Sequence, residues 1–379
     1  MEWALIIAGI VGLVMAAAGK GTQGPGQNEA EAPTPVYEPE GSTPALPEHS
    51  HVEFRPKTLV EYIDQADMKK VIEVEIVAAK TNGAPFPHTL LTGPAGLGKT
   101  SIASVIANEM GVPFYSITGP AVANPRAFSL LGVEIYNRHG GVIFIDEAHK
   151  IPRDINELFY PLLEDFRFSG TSATGEVATY TVAPFTCMLA TTNPSAIAKP
   201  LRERCGLHFH LELYKDEELS IIIEHALGAL AKQYLPGSIA AFSFKQSAIT
   251  ELAQNACGVP RRAIRLANNC FSYLQYIKST FLDVETVKKV LSLHGIAPGG
   301  LERLDLEILR FLEAIRAPGS GERLPCGLSR LASAINEGRE DIEEAEGLLL
   351  RRGYIAGTPK GRIITDAGLE YLKQLKVQS

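Results

Sequence analysis

A glycine-rich segment, Gly93 to Thr100 (GPAGLGKT), follows an apolar run and leads directly into a helix-like segment. The pattern GxxxxGKT between a strand and a helix is typical of a loop that holds the phosphates of a nucleoside triphosphate. Glycines let successive backbone N–H groups turn towards phosphate oxygens, and the N-terminus of the following helix adds partial positive charge. A glycine-rich turn without a ligand is the alternative, which the GKT ending and both flanks disfavour.

Each residue type in this segment has its own expected task. Lys99 is expected to reach the β- and γ-phosphates, and the hydroxyl of Thr100 is expected to bind Mg²⁺. Further contacts to the nucleotide are predicted for the rest of the loop and the start of the helix: Gly93, Gly96, Leu97, Gly98 and Ser101. The segment therefore predicts a site for a nucleoside triphosphate and Mg²⁺.

A second apolar run starts at Gly141 and ends in two acidic residues, Asp146 and Glu147. Such a run is typical of a strand buried on both faces of a parallel sheet, and its C-terminal end borders the ligand crevice. We expect Asp146 to hold Mg²⁺ through a water molecule, and Glu147 to orient and polarise the attacking water. Two solvated acids are the alternative, which the upstream phosphate loop disfavours. The pair predicts hydrolysis as well as binding.

A third apolar run is followed by three polar residues, Thr191, Thr192 and Asn193. A polar side chain at the end of a neighbouring strand could contact the γ-phosphate or the attacking water and report hydrolysis. A helix cap or a turn fits the same spacing nearly as well. The residues alone leave both interpretations open.

Two arginines have patterns that suit phosphate contacts. Arg204, at the end of the segment PLRER, could reach the γ-phosphate of a neighbouring subunit and stabilise the charge that develops during transfer. A solvated surface pair with Arg202 fits equally well. Arg261 follows Gly258-Val259-Pro260, a signal for the end of one helix and the start of the next. It is predicted in the first turn of that helix, where it could lean onto the nucleotide.

The elements that must position these residues indicate an α/β fold with a parallel sheet. Strands are predicted at 113–117, 141–146 and 185–190, and a projecting β-hairpin at 167–182 is a natural docking element for a partner. Residues 216–291 have a helical pattern. From about residue 300, three short amphipathic helices and two strands predict a winged helix-turn-helix.

The winged unit carries four basic residues on the side of its predicted wing: Arg351, Arg352, Lys360 and Arg362. Basic side chains at a wing suit contacts to DNA phosphates. Winged folds also serve as protein-docking modules, which is the alternative for this unit.

The N-terminal segment from residue 3 to residue 19 is uncharged and mostly apolar. Its length just reaches the minimum of about 17 residues for a spanning helix. No basic residue precedes it, which disfavours a secretory signal and favours an uncleaved membrane anchor. Lys20 then places the ATPase body on the cytoplasmic side. Residues 20–51 are rich in Gly, Pro, Glu, Ser and Thr and are predicted to form a disordered tether.

The overall composition describes a folded protein, with 45% hydrophobic residues and a net charge of −7. This charge disfavours a passive nucleic-acid coat, so any contact with DNA must come from local basic clusters or from many copies in a ring. The five cysteines are scattered and form no CxxC motif. They indicate reduced thiols and no metal site.

Taken in order, these motifs resemble those of the RuvB family, the AAA+ ATPases that drive branch migration of bacterial Holliday junctions. The similarity runs from about Phe54 to Leu372. Its most specific segments are FRPKTLVEYI, LLTGPAGLGKT, FIDEAHKI, ELFYPLLEDF, PFTCMLATT, PLRERCG, GVPRRAIRL and TPKGR. The resemblance implies a large AAA+ ATPase domain at 52–213, a helical lid at 214–297 and a winged-helix DNA-binding domain at 298–379.

The resemblance also implies roles for individual residues. Lys99 and Thr100 would bind phosphate and Mg²⁺, with Asp146 and Glu147 as the acidic pair. Thr191 or Thr192, with Thr192 our choice, would sense the γ-phosphate, Arg204 would act on the neighbour's site, and Arg261 would be a second sensor. Tyr62 and Ile63 match the adenine-side segment of the family, which makes ATP the expected nucleotide; core packing is the alternative for both.

The partners implied by the resemblance are double-stranded DNA at a Holliday junction, a homo-hexameric ring and a RuvA-like protein docked on the hairpin at 167–182. Three features depart from the family. Asn193 stands where the family usually carries arginine, the hairpin is short and lacks an apolar tip, and an apolar N-terminal segment precedes the tether. A membrane-tethered ATPase that remodels a protein partner, with the winged helix used for docking, is therefore the competing function.

Overall fold

The structure is a computed structural model, and it describes residues 55–63, 65–138, 140–171, 177–234, 242–315 and 322–378. The chain divides into two compact units between Glu212 and Leu213. The predicted membrane anchor at 3–19 and the predicted tether at 20–51 lie outside the described residues. In the part of the chain that the structure describes, no helix has both the length and the apolar character needed to cross a bilayer.

A parallel sheet forms the centre of the first unit. The strands of this unit are β1 (Thr89–Thr92), β2 (Phe114–Thr118), β3 (Val142–Asp146), β4 (Arg167–Thr171), β5 (Val177–Thr181), β6 (Thr186–Thr191) and β7 (Leu207–His210). Five of them pair in the order β2-β3-β6-β1-β7, with all neighbours parallel. Every residue of β6 is buried, whereas β7 at one edge alternates between half-buried and exposed residues. The predicted strands at 113–117, 141–146 and 185–190 are confirmed.

Helices accompany this sheet along the chain. They are α1 (Ala66–Asn82), α2 (Lys99–Met110), α3 (Pro125–Arg138), α4 (Arg153–Glu164) and α5 (Lys199–Glu203). Helix α1 buries Met68, Ile72, Ile76 and Ala79, a spacing of three and four residues that marks one helical face. Val74 and Val77 lie outside this buried set. Both are more than half exposed, because they lie on other faces of this helix.

The hairpin predicted at 167–182 is present as the antiparallel pair β4–β5, with Phe168 opposite Tyr180. Their rings stack with centroids 5.2 Å apart. Phe168 belongs to the buried core of the first unit, which anchors the base of the hairpin. The turn between the two strands, residues 172–176, lies outside the described residues.

The second unit begins with a helical part. Its elements are α6 (Asp216–Tyr234), β8 (Ser243–Phe244), α7 (Gln246–Ala256), α8 (Pro260–Tyr276), β9 (Phe281–Leu282) and α9 (Val284–Leu293). The two short strands pair in parallel. Each of the four helices buries one apolar face, and burial of each large aliphatic side chain contributes about 1.5–3 kcal/mol. Helices α6 to α9 confirm the helical pattern predicted within 216–291, apart from the short strands β8 and β9 and residues 235–241, which lie outside the described residues.

The rest of the second unit is a winged helix. It consists of α10 (Arg303–Ala314), α11 (Leu328–Ile335), α12 (Arg339–Arg351), β10 (Ile355–Thr358), β11 (Gly361–Ile364) and α13 (Asp366–Gln378). Strands β10 and β11 pair antiparallel and form the wing. A separate buried core holds these elements together. The three helices and two strands predicted for this unit are present, and helix α13 after the wing is an element that was not predicted.

Candidate active site

The phosphate loop lies between β1 and α2, as the sequence predicts. Gly93, Gly96 and Gly98 all have positive φ angles, of 130°, 79° and 95°, which glycine adopts without steric cost. A Cβ atom on Gly93 would lie 2.5 Å from the backbone oxygen of Leu211, so a side chain is excluded there by space as well as by conformation. This open backbone fits the close approach of phosphate oxygens to N–H groups.

Lys99 is the first residue of α2 and is buried, with 8% of its surface exposed. Its Nζ donates hydrogen bonds of 2.8 Å to the carbonyl oxygens of Gly93 and Pro94. The ammonium group is therefore held inside the loop, and its contact with the phosphates stays a prediction. Thr100 and Ser101 follow in the first turn of the helix and are half-buried. They lie at the helix end that carries partial positive charge.

Tyr62 packs against this loop. It is buried, and its hydroxyl oxygen lies 3.2 Å from the position that a Cβ atom on Gly98 would occupy. Lys69 fixes the Tyr62 backbone by donating a 2.6 Å hydrogen bond from its Nζ to the Tyr62 carbonyl oxygen. Ile63 is half-buried. Tyr62 thus forms part of the wall of the phosphate loop, and the contact of both residues with adenine stays a prediction.

The acidic pair lies at the end of β3, one strand away from β6 and two strands away from β1. Asp146 Oδ1 accepts a 2.9 Å hydrogen bond from the Glu147 backbone N–H, and Glu147 has a left-handed backbone with φ 51°. The Glu147 carboxylate contacts Lys150 Nζ at 3.1 Å. Surface ion pairs of this kind are worth about 0–1 kcal/mol, so the carboxylate can exchange this partner for water.

The two threonines after β6 have different environments. Thr191 is buried, its Oγ1 lies 3.0 Å from His149 Nδ1, and it accepts a 2.9 Å hydrogen bond from the Asn193 backbone N–H. Thr192 is exposed. Because the Thr191 hydroxyl already has these partners, the structure favours Thr192 as the γ-phosphate sensor, and this role stays a prediction. His149, which joins the acidic segment to β6, was missed because a single histidine after an acidic pair carries no spacing signal.

The two predicted phosphate-contacting arginines lie in different units. Arg204 follows α5 in the first unit, where its Nη2 forms an ion pair with Glu164 Oε1 at 3.1 Å. Arg261 lies in the first turn of α8 in the second unit and is exposed. The position predicted for Arg261 in a first helical turn is confirmed, and its contact with nucleotide stays a prediction.

The four basic residues predicted to contact DNA divide into two groups. Arg351 and Lys360 are exposed. Arg352 Nη2 donates hydrogen bonds of 3.3 Å to the carbonyl oxygens of Gln254 and Gly299, and Arg362 forms a bidentate ion pair with Glu346. Arg352 and Arg362 therefore have partners within the unit. The sequence pattern did not predict these partners, because a partner that is distant in the sequence leaves no local signal.

Replacing Arg362 with alanine is expected to destabilise the winged helix strongly. The change leaves the Glu346 carboxylate, which is only 5% exposed, buried without its cation. Breaking a buried ion pair from one side costs about 3–5 kcal/mol of the free energy of unfolding. Urea denaturation should show this loss for Arg362→Ala and at most about 0.5 kcal/mol for Lys360→Ala. Equal midpoints for the two variants would contradict a stabilising role for the pair.

The comparisons with known proteins agree with this geometry. Residues 54–211 match the family described as the P-loop domain of the Holliday junction DNA helicase RuvB, and residues 298–373 match the RuvB C-terminal winged helix domain. The Holliday junction branch migration complex subunit RuvB 2 of a Synechococcus species is 37% identical over 84% of this chain and 83% of its own length. The corresponding RuvB subunit of a Nocardioides species is 36% identical, over 84% of this chain and 85% of its own length.

The fold agrees with a solved relative as well. The structure of the Thermotoga maritima RuvB Holliday junction branch migration motor matches with a TM-score of 0.71 and 31% sequence identity, over 84% of this chain and 98% of that chain. The predicted fold class, a parallel P-loop sheet with a helical part and a C-terminal winged helix, is confirmed. On the sequence, the loop geometry and these relatives together, the chain belongs to the RuvB family of AAA+ ATPases.

Proposed function

We propose that this protein is an ATP-driven motor that moves double-stranded DNA at Holliday junctions as a homo-hexameric ring. The observation that carries the proposal is the phosphate loop, with Lys99 held inside it, on the same sheet as the acidic pair Asp146–Glu147. The names of the relatives, which are branch-migration subunits, support the choice of DNA. Recombination and repair of DNA would be the processes served.

The residues of the chain divide the chemistry among them. ATP and Mg²⁺ supply the reacting phosphates and their neutralising charge when bound. Lys99 and the loop backbone would hold the phosphates, Thr100 and Asp146 would hold the metal ion, and Glu147 would orient a water molecule. Thr192 and Arg261 contact the nucleotide as sensors, and Arg204 stabilises the transition state in the site of the adjacent subunit. A residue that acts on a neighbour requires an assembly, so the role of Arg204 and the ring are proposed together.

A motor must transmit movement of the lid to the DNA-binding unit, and the joint between α7–α9 and the winged helix suits this task. Gly300, with φ 79°, lies so close to Asn255 and Cys257 that a Cβ atom would clash with both. Arg262 donates to the Gly300 carbonyl oxygen and pairs with Glu302 at 3.2 Å. Tyr371 donates a 2.9 Å hydrogen bond to the Pro298 carbonyl oxygen, and burial raises the pKa of its hydroxyl, so it stays a donor.

Arg352 is proposed to serve this joint in addition to any DNA contact. Its two hydrogen bonds to Gln254 and Gly299 connect the end of α12 to α7 and to the linking segment. Cys257, at the end of α7, also packs against the core of the winged helix. The lid and the winged helix would then move as one body when nucleotide binds or leaves.

Arg352→Ala is expected to separate ATP turnover from DNA movement. Hydrogen bonds from a charged donor contribute about 1.5–3 kcal/mol, so their loss loosens the joint. We expect ATP turnover to be retained and the number of branch-migrated junctions per ATP to fall about tenfold. Lys360→Ala, at the exposed wing tip, should instead weaken DNA binding and lower the slope of log affinity against log salt by about one. The same loss of slope in Arg352→Ala would show that Arg352 is a phosphate contact.

The acidic character of α12 supports the wing as the DNA-contacting element. This helix follows the turn after α11, where a helix-turn-helix protein carries its recognition helix. Its exposed face carries Glu340, Asp341, Glu343 and Glu344. Four carboxylates facing solvent repel the phosphates that line the major groove, so the wing with Lys360 is the better surface.

The hairpin β4–β5 is proposed to dock a RuvA-like partner. Its base is anchored in the core through Phe168, so the strands project from a fixed position. We propose the cytoplasm as the location of the ATPase body, because ATP is available there. Membrane attachment through residues 3–19 remains a prediction about a segment outside the described residues.

Steady-state ATP hydrolysis by the full chain, with and without a synthetic four-way junction, tests the proposed function. We expect the junction to stimulate turnover more than linear duplex of the same length does. Turnover that is indifferent to any DNA would contradict the motor and favour the competing function, a tethered ATPase that remodels a protein partner.

A further inference from the structure

The guanidinium group of Arg204 is held by three contacts within its own subunit. Its Nη2 pairs with Glu164 Oε1 at 3.1 Å, its Nη1 donates a 2.8 Å hydrogen bond to the Pro200 carbonyl oxygen, and its Cζ lies 4.2 Å from the centroid of the Tyr160 ring. The Arg204 side chain is 22% exposed. The group therefore combines an ion pair, a carbonyl acceptor and an aromatic face, three contacts that suit a planar guanidinium.

These contacts come from two elements that pack together. Tyr160 and Glu164 are four residues apart on α4, so they lie on the same face one turn from each other. Arg204 follows α5, whose Leu201 belongs to the same buried core as Leu162 and Leu163 of α4. The positions of the three side chains relative to one another are therefore fixed by a packed core.

The hydrogen bonding of Arg204 is incomplete. Its Nε is buried and has no hydrogen-bond partner among the described residues. A guanidinium offers five N–H donors, and the two polar contacts to Glu164 and Pro200 use only part of them. Because Nε lies inside the protein, a further acceptor from another subunit would have to bind the remaining N–H donors of Nη1 and Nη2.

Glu164 and Tyr160 hold the guanidinium group in two different ways. The carboxylate fixes one edge of the guanidinium, and the ring covers one of its faces, so little rotation about the side-chain bonds remains. An arginine that acts on a neighbour's γ-phosphate gains from this, because the side chain has lost its rotamer freedom before the subunits meet. Since the Glu164 side chain is 56% exposed, its attraction for Arg204 is screened and does not compete strongly with a phosphate.

We propose that Glu164 and Tyr160 are positioning residues for the transition-state contact made by Arg204. This inference rests on the proposed role of Arg204 in the neighbouring subunit's site. Neither residue contacts the nucleotide in this mechanism. They act by setting the place and plane of the guanidinium.

The test is a double-mutant cycle on ATP hydrolysis by the assembled full chain in the presence of a four-way junction. Glu164→Ala is expected to lower kcat roughly tenfold, which corresponds to about 1.4 kcal/mol in the barrier, with KM for ATP unchanged. Tyr160→Leu is expected to act in the same direction. Combined with Arg204→Ala, neither change should lower kcat further, because residues that act through one group are not additive. Glu164→Asp should restore part of the rate.

Two controls keep the outcomes distinct. Asp154→Asn removes an exposed carboxylate from the other end of the same helix. An exposed charge at the start of a helix contributes only about 0.3–1 kcal/mol, and this contribution is to stability. The variant should therefore keep kcat within about twofold of the parent value. Thermal denaturation and sedimentation must show that each variant is folded and assembled as the parent is.

A drop in kcat for Glu164→Ala that adds fully to that of Arg204→Ala would overturn the positioning role while Arg204 itself keeps its role. An Arg204→Ala variant with the parent's kcat would instead overturn the proposed role of Arg204.

Discussion

Glu147→Gln is expected to lower kcat for ATP hydrolysis by roughly 10²–10⁴-fold, the range for loss of a residue that activates the attacking water. Glutamine keeps the size and polarity of the side chain but cannot accept a proton. ATP affinity should be retained, because the loop, Lys99 and Thr100 make the predicted phosphate and metal contacts. Single-turnover hydrolysis and equilibrium binding of a fluorescent ATP analogue measure the two quantities separately.

The environment of Glu147 makes this prediction specific. Its carboxylate is 46% exposed and forms an ion pair of the surface type with Lys150, so its removal should not unfold the domain. Asp154→Asn is again the matched control, as an exposed carboxylate on the following helix. If Glu147→Gln hydrolyses ATP within threefold of the parent rate, another residue activates the water.

Arg204→Ala is expected to lower kcat by roughly 10³–10⁵-fold, as loss of an arginine supplied to a neighbouring site does. The activity should be lost in the site of the adjacent subunit, to which the substituted residue would have been supplied. In a mixture with Lys99→Ala subunits, which keep Arg204 but cannot bind phosphate, a site is active only where an intact loop meets an intact Arg204. Mixing these two inactive variants should therefore restore part of the activity.

Cross-linking has to verify that mixed assemblies form. If such a mixture stays inactive, Arg204 acts within its own subunit or contributes to the stability of that subunit. The second possibility is measurable. Arg204→Ala removes the ion pair with Glu164 and the contact with Tyr160, so its melting temperature has to be compared with that of Glu164→Ala. A kcat loss with similar melting temperatures isolates the effect on catalysis.

The central elements of the fold could be predicted from the sequence because each carries a local signal. The buried strand that ends at Asp146 has a continuous apolar run, and the loop from Gly93 to Thr100 requires glycines where the backbone has positive φ. These signals depend only on neighbouring residues. The parallel sheet and the place of the acidic pair at the C-terminal end of β3 follow from them.

Other features depend on contacts between distant residues and could not be predicted. Arg352 and Arg362 look alike in the sequence as basic residues near the wing, but one bonds to Gln254 and the other pairs with Glu346. Val74 and Val77 are apolar like the buried Ile72, yet both are more than half exposed because the helix buries another face. The pairing of Glu164 with Arg204 joins two segments whose separation leaves no pattern.

The choice between Thr191 and Thr192 as the γ-phosphate sensor also depends on a contact between distant residues. Two adjacent threonines at a strand end are equivalent in the sequence. The contact of Thr191 with His149, 3.0 Å between Oγ1 and Nδ1, distinguishes them only once the fold is known. Thr192→Val, compared with Thr191→Val, is the variant that tests the sensor.

The most direct measurement of the central claim is conversion of a synthetic four-way junction into branch-migrated products by the full chain. With ATP and Mg²⁺ we predict products at a rate that depends on protein assembly, and none with Glu147→Gln or without hydrolysable ATP. A junction that stays unconverted while the same preparation hydrolyses ATP would contradict a DNA motor. The winged helix would then be assigned to docking a protein partner.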